Sequence, residues 1–142
     1  MTELTFDGDV IITRKVHFCA SHRLHAPSLS DDDNQSIFGK CNNPNGHGHN
    51  YVLIVALKGP VDPVTGMVFN LAELADILDD TIMYHFDHKN LDKDTPFFDE
   101  RPSTAENIAM VCLQLLLDTP VGSLLYYVEL EETLKNVVRV YA

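Results

Sequence analysis

Apolar and polar residues alternate along the first half of the chain. From Val10 to Ser21 the even positions carry apolar side chains, with Arg14 as the exception. A period of two is typical of a strand with one buried face. The apolar run from Tyr51 to Leu57 predicts a second strand, which ends at Lys58. Leu124 to Glu131 and Val137 to Tyr141 predict two more around a short turn.

Two stretches follow helical spacing instead. Asn70 with Glu73 resembles a capping box, and the helix that follows is expected to end near Tyr84. Its apolar stripe comprises Leu71, Leu74, Ala75, Leu78 and Ile82. Ser103 to Glu106 predicts a second capping box and helix, with Ile108, Val111, Cys112, Leu115 and Leu116 on one face. Cys112 belongs to this stripe, which predicts core packing for it.

The element order is strand, strand, helix, helix, strand, strand. This order predicts an α+β fold, with a four-stranded antiparallel sheet and two helices on one face. Residues 25–40 are rich in turn-forming and acidic residues, and we predict a solvated loop there. A length of 142 residues fits a single domain, residues 1–142, with a usable core.

Composition narrows the class of protein. No apolar run is long enough to span a bilayer, and the net charge of −11 argues against nucleic acid or an anionic membrane as partner. The stretch from Met1 to Asp9 has acidic residues and no basic one, unlike a signal peptide or presequence. Three cysteines are too few for a disulfide framework. We therefore expect a cytoplasmic protein with reduced thiols.

The chemistry concentrates at the start of the second strand. His47 and His49 stand two apart, so their imidazoles should project from one face of a strand. The turn before them contains Pro44 and Gly46 and can bring Cys41 near the pair. His22, at the end of the first strand, is the best candidate for a third metal ligand.

These residues also carry a family resemblance. Two segments carry it: Ala20-Ser21-His22-Arg23-Leu24 and, after it, Gly39-Lys40-Cys41-Asn42-Asn43-Pro44-Asn45-Gly46-His47-Gly48-His49-Asn50. Together they resemble the 6-pyruvoyl-tetrahydropterin synthase family. Further matches follow in the family's order: Gly66 to Leu71, Phe86 to Leu91, Thr104 with Glu106 and Asn107, and Glu132-Thr133. The resemblance runs from Phe18 to the C-terminus.

The resemblance implies a specific architecture and site. It implies the tunnelling fold (T-fold), with sheets joined into a barrel in a trimer and two trimers stacked into a homohexamer. It makes His22, His47 and His49 the ligands of a catalytic Zn²⁺, which leaves one coordination position for substrate. The roles it implies for the other residues are proton abstraction for Cys41, a second proton-transfer pair for Asp87 and His88, a pterin anchor for Glu132, and lesser pocket positions for Thr104 and Glu106.

The implied reaction converts 7,8-dihydroneopterin triphosphate to 6-pyruvoyl-tetrahydropterin with elimination of triphosphate, a step of tetrahydrobiopterin biosynthesis. In the family Mg²⁺ can assist through the phosphates. Arg23, Lys40 and Lys89 lie beside the motif residues and could offset the acidic net charge locally. Helix capping by itself would also explain Glu106.

Three alternatives remain open from the sequence. Cys41 could be a fourth, structural zinc ligand, because thiolates and imidazoles both suit zinc. The chain could be the related 6-carboxy-tetrahydropterin synthase, although in that branch the cysteine usually stands three residues before the His-Gly-His motif, and here five residues separate Cys41 from His47. It could also be a pterin- or zinc-binding module without turnover, which would have no need of bases.

Overall fold

One twisted sheet with helices on one side forms the body of the protein. The structure, a computed structural model, describes residues 2–142. The strands are β1 (Val10–His22), β2 (His47–Gly59), β3 (Lys89–Asn90), β4 (Leu125–Glu131) and β5 (Val137–Tyr141). They lie in the order β3-β1-β2-β4-β5. The predicted α+β class is confirmed.

The strand count was predicted incorrectly. In the described residues the sheet has five strands, because Lys89 and Asn90 pair with Ala20 and Ser21 of β1. This pairing is parallel, so the sheet is mixed, whereas the other three pairings are antiparallel as expected. A strand of two residues is too short to produce an alternating pattern, so hydrophobic periodicity could not reveal it.

Within residues 2–142, five α-helices connect and cover the strands. They are α1 (Asp31–Phe38), α2 (Leu71–Leu78), α3 (Tyr84–Phe86), α4 (Leu91–Asp94) and α5 (Ala105–Leu117). Asn70 caps α2 as predicted, by accepting hydrogen bonds from the backbone N–H groups of Ala72 and Glu73. A π-helical turn (Asp79–Met83) joins α2 to α3, so this helical run ends at Phe86, two residues beyond the predicted end near Tyr84. In the described part of the chain, no helix has the length and apolar character needed to cross a membrane.

The segment 25–40 was predicted to be a loop, and this was wrong for its second half. Ser30 Oγ accepts a hydrogen bond from the Asp33 backbone N–H at 3.1 Å and begins α1. The first turn contains Asp31, Asp32 and Asp33. Carboxylates there are stabilised by the positive end of the helix dipole. The acidic run is therefore a helix start.

The start of α5 also differs from the prediction. Thr104, not Ser103, is the N-cap residue, and its hydroxyl accepts from the Asn107 backbone N–H. Glu106 then falls one position short of the capping-box glutamate site, which Asn107 occupies. Capping therefore does not account for Glu106.

The hydrophobic core lies between one face of the sheet and the two longest helical runs. Phe18 and Tyr51 stack across β1 and β2 with ring centroids 4.9 Å apart. The helices cover them with side chains that are fully buried: Leu74, Leu78, Ile82, Ile108, Cys112 and Leu116. Both helices pack on the same face, as predicted. Cys112 is a core residue, and its burial raises the pKa of the thiol.

Candidate active site

Three histidines meet where β1 ends and β2 begins. In the antiparallel register His22 lies opposite His47, and His49 lies opposite Ala20. His22 and His49 are therefore diagonal neighbours on one face of the sheet. One ring nitrogen from each imidazole lies within 4.8 Å of the other two. The predicted grouping of His22 with the His-Gly-His pair is present in the structure.

The turn before His47 depends on a glycine. Gly46 has φ = +74°, a left-handed backbone conformation that residues with a Cβ adopt at a cost. A Cβ at this position would lie 2.8 Å from the backbone oxygen of His22. The turn can therefore approach the end of β1 only because residue 46 has no side chain.

His22 is held in one orientation and kept neutral. It is 1% exposed, and its Nδ1–H donates to the Ser103 carbonyl oxygen at 2.7 Å, which leaves the lone pair on Nε2. The Tyr51 hydroxyl lies 3.4 Å from Nε2. Burial lowers the pKa of His22 from 6.5 to about 4, and this outweighs the opposing effect of the Ser103 carbonyl.

The same neutral state is favoured at the other two histidines. Burial lowers the pKa of His47 and of His49, and the nearby imidazole of His49 adds to the effect at His47. His49 Nε2 is buried without a hydrogen-bond partner. Buried polar atoms are rarely left unpaired, whereas a neutral imidazole is a common metal ligand. These three residues are positioned to hold a metal ion.

Cys41 lines the same cleft as the histidines. The cleft has a volume of about 430 Å³. Its walls are formed by His22, Leu24, Lys40, Cys41, His47, His49, Glu132, Thr133 and Asn136. Cys41 is partly exposed on a 3₁₀ turn (Gly39–Asn42) between α1 and β2. The fold thus brings together a thiol, a carboxylate and the three histidines from three parts of the chain.

Glu132 joins this cleft to a second cavity. The neighbouring cavity, of about 510 Å³, is lined by Leu24, Thr104, Ala105, Glu106, Glu132, Lys135, Asn136, Val137 and Val138. Burial raises the pKa of Glu132, while the nearby His47 opposes this shift. This second cavity is lined by Thr104, Glu106 and Glu132 together. Because Glu132 also lines the histidine cleft, the two cavities form one continuous recess.

Asp87 and His88 form a hydrogen-bonded pair outside the histidine cleft. His88 Nδ1 lies 2.8 Å from Asp87 Oδ2, and Asp87 Oδ1 accepts from the Cys19 backbone N–H at 3.0 Å. The Cys19 hydrogen bond lowers the pKa of Asp87, with a further contribution from His88. The His88 backbone is left-handed (φ = 59°), and its side chain is 83% exposed. Neither residue is among those lining the histidine cleft of the described chain.

Comparisons with known proteins agree with this arrangement. The family model described as 6-pyruvoyl tetrahydropterin synthase matches residues 11–142. The chain belongs to the 6-pyruvoyl tetrahydropterin synthase family. It is 51% identical over 130 residues to the human 6-pyruvoyl tetrahydrobiopterin synthase, covering 89% of this chain and 88% of the human protein. The Drosophila melanogaster synthase is 48% identical over 130 residues, covering 89% and 76%.

Solved structures support the same assignment. The 6-pyruvoyl tetrahydropterin synthase of Caenorhabditis elegans superposes with a TM-score of 0.93 at 45% identity, covering 97% of this chain and 99% of that one. The Plasmodium falciparum protein, at 15% identity and a TM-score of 0.66, shares the fold. The predictions of family membership, of the T-fold and of an enzyme are confirmed.

Sequence reasoning missed two partners of His22 in this synthase-family site. Tyr51 follows His49 by two positions in β2, so strand alternation could have placed it on the same face of the strand as the two histidines. The Ser103 carbonyl lies 81 residues from His22, and no local pattern indicates this contact.

The three basic residues beside the motif lie in different surroundings. Lys40 lines the histidine cleft. The Arg23 guanidinium donates to Asn42, and Arg23 lines a different cavity together with His25 and Lys93. Lys89 lies in β3. Of the three, Lys40 is the one positioned to face a ligand bound beside the histidines.

Proposed function

We propose that this chain converts 7,8-dihydroneopterin triphosphate to 6-pyruvoyl-tetrahydropterin with elimination of triphosphate, in tetrahydrobiopterin biosynthesis. The observation that carries the proposal is the single cleft that combines Cys41 and Glu132 with three neutral histidines in a member of this family. In this proposal residues 1–142 act as one cytoplasmic synthase domain.

The proposed metal is Zn²⁺, held by His22, His47 and His49. Three imidazoles leave one position of a tetrahedral zinc site open, as in catalytic zinc sites. When bound, zinc supplies Lewis acidity toward substrate oxygens. The Ser103 carbonyl contributes by fixing the His22 tautomer, so that Nε2 keeps its lone pair for the metal.

Cys41 is the proposed base. Its thiol lines the cleft beside the histidines, and as a thiolate it would accept the carbon-bound proton of the substrate side chain. The reaction needs no nicotinamide, because the side-chain carbons are oxidised while the pterin ring is reduced. Cys41 as a fourth zinc ligand is the competing assignment, and zinc analysis of a Cys41 variant separates the two.

Glu132 is the proposed pterin anchor. A carboxylate can accept two parallel hydrogen bonds from the donor edge of an aminopyrimidinone. Glu132 is partly buried at the junction of the two cavities, where such a ring would be shielded from water. Thr104 and Glu106 extend the proposed binding surface. Lys40 is placed to meet the triphosphate, where Mg²⁺ could assist.

Asp87 and His88 are the proposed second proton-transfer pair, acting in the site of a neighbouring subunit. Two observations support this. The His88 imidazole is exposed while Asp87 fixes one of its nitrogens. In the described chain β5 pairs only with β4, and an unpaired sheet edge favours association. The proposed assembly is a homohexamer made from two trimers.

The test is turnover of the proposed substrate. Purified zinc-loaded protein is incubated with 7,8-dihydroneopterin triphosphate, triphosphate release is followed, and the pterin product is identified by mass. Stoichiometric triphosphate and 6-pyruvoyl-tetrahydropterin are expected. A 6-carboxy product would assign the chain to the related branch, and tight pterin binding without triphosphate release would make it a binding module.

A further inference from the structure

The segment that carries Cys41 has almost no hydrophobic core of its own. Between His22 and Tyr51 the fully buried residues are two asparagines, Asn34 at 0% and Asn42 at 3% exposure. Every other residue from 23 to 50 is at least partly exposed. Hydrophobic packing is non-directional, whereas buried amides must satisfy specific partners. The position of this segment therefore depends strongly on what the two asparagines bind.

Asn42 binds the three residues that directly follow His22. Its Nδ2 donates to the Leu24 carbonyl oxygen at 2.7 Å and to His25 Nδ1 at 3.0 Å. Its backbone carbonyl accepts from Arg23 Nε at 2.8 Å, and its Oδ1 lies 3.4 Å from Arg23 Nη2. A further bond between Leu24 N and the Cys41 carbonyl, 2.9 Å long, runs alongside.

These contacts link the thiol to a metal-binding histidine. Cys41 immediately precedes Asn42, and Arg23 immediately follows His22. We infer that Asn42 is a positioning residue, which fixes the distance between the Cys41 thiol and the histidine cluster by locking the 3₁₀ turn to the end of β1. The inference rests on the proposed function for the role of Cys41 as base.

The effect expected is on geometry at the reacting centre. Misplacing a catalytic group by about 1 Å can cost about 100-fold in rate. Loss of the Asn42 amide frees the turn but leaves His22, His47 and His49 on strands paired with each other. Zinc content should therefore survive while turnover falls.

Asn34 provides a matched control. It is equally buried and lies in the same segment, but its side-chain bonds stay local. Its Oδ1 accepts from the Ala26 N–H at 2.7 Å, and its Nδ2 donates to the carbonyl oxygens of Ala26, Leu29 and Ser30. None of these partners belongs to the turn that carries Cys41. Replacing either asparagine should loosen the segment in general. Only replacement of Asn42 should misplace the Cys41 thiol.

The experiment compares Asn42→Ala with Asn34→Ala in zinc-loaded protein. For Asn42→Ala we expect kcat to fall about 10- to 100-fold, with KM for the pterin within about twofold and zinc content unchanged. For Asn34→Ala we expect kcat within about threefold of the parent. Equal losses in the two variants, or a normal kcat in Asn42→Ala, would overturn the inference.

A second measurement does not require turnover. In a Cys19→Ser background, Cys41 is the accessible thiol because Cys112 is fully buried. Iodoacetamide alkylation is timed with and without zinc. A nearby cation changes thiol reactivity, so the parent and Asn34→Ala should show at least about a threefold effect of zinc. In Asn42→Ala the two rates should converge, and an unchanged zinc effect there would refute the inference.

The two measurements also separate this inference from the proposed function. If the parent protein released no triphosphate, the proposed function would fail, yet the alkylation comparison would still decide the role of Asn42. Should Asn42→Ala not fold, Asn42→Leu has a similar volume, carries no charge and removes the side-chain hydrogen bonds to Arg23, Leu24 and His25. It is expected to reproduce the loss of the zinc effect, and retention of that effect would contradict the inference.

Discussion

The metal-free protein should lose stability in mild acid, and His22 is one identifiable cause. His22 is 1% exposed, and its folded-state pKa is about 4 against an ordinary value of 6.5. Between pH 4 and pH 6.5 the His22 imidazole is therefore protonated in the unfolded chain and neutral in the folded chain. Stability contributed by neutral His22 is fully present above pH 6.5 and is lost progressively as the pH falls toward 4.

The size of this loss follows from the two pKa values. At pH 5 the unfolded imidazole is almost fully protonated and the folded one is largely neutral, a difference of about 2 kcal/mol. The total domain stability is typically about 5–15 kcal/mol, so this is a measurable fraction. His47 and His49, whose pKa values are also lowered, act in the same direction, and Glu132, whose pKa is raised, acts in the opposite one. The effect of His22 is therefore obtained by comparison with a variant.

The assay is urea unfolding of chelator-treated protein at pH 7.5 and pH 5, at one protein concentration. The parent is compared with His22→Gln, whose amide does not titrate. Between the two pH values, the free energy of unfolding of the parent should fall by about 2 kcal/mol more than that of the variant. Equal pH dependence in both proteins would mean that His22 accepts a proton in the folded state, and the reasoning from its burial would be wrong.

Three further predictions concern the proposed site. His47→Ala should lose zinc and most activity, because two imidazoles seldom hold zinc tightly. If metal analysis showed that Cys41→Ala loses zinc as completely, the thiol would be a ligand and not the base. Glu132→Gln should weaken pterin binding by calorimetry and spare zinc, because an amide cannot replace both carboxylate acceptors; unchanged affinity for a pterin lacking the triphosphate would remove Glu132 from the pocket. Cys41→Ala and His88→Ala subunits, dissociated, mixed and reassembled, should regain about one intact site in four if the site is shared between chains; activity no higher than that of the separate variants would place both residues in one chain.

The histidine cluster was predictable because strand geometry determines it. Residues two apart in a strand share a face, so the pattern of His47 and His49 already predicts a pair. Antiparallel pairing of β1 with β2 then brings His22 opposite His47. The long strands and the α2 and α5 stripes were predictable for the same reason: their period is repeated many times.

Features that depend on one or two tertiary contacts were not predictable. Strand β3 exists because Lys89 and Asn90 reach the edge of β1, and a dipeptide carries no periodic signal. Arg23 is one of three cations beside the motif that could offset the acidic net charge, but its guanidinium donates to Asn42, a contact that no sequence pattern indicates. Helix α1 did carry a local signal, since Ser30 precedes three aspartates, but those acids also suit a solvated loop.

The proton-transfer assignment of Cys41 is the central claim, and triphosphate release by Cys41→Ala tests it most directly. Wild-type and variant proteins are loaded to equal zinc content, saturated with 7,8-dihydroneopterin triphosphate, and compared in kcat. Removing a positioned base should slow triphosphate release by about 10²–10⁴-fold while zinc and pterin binding are retained. Near-normal release from zinc-loaded Cys41→Ala would contradict the assignment of the thiol as the base.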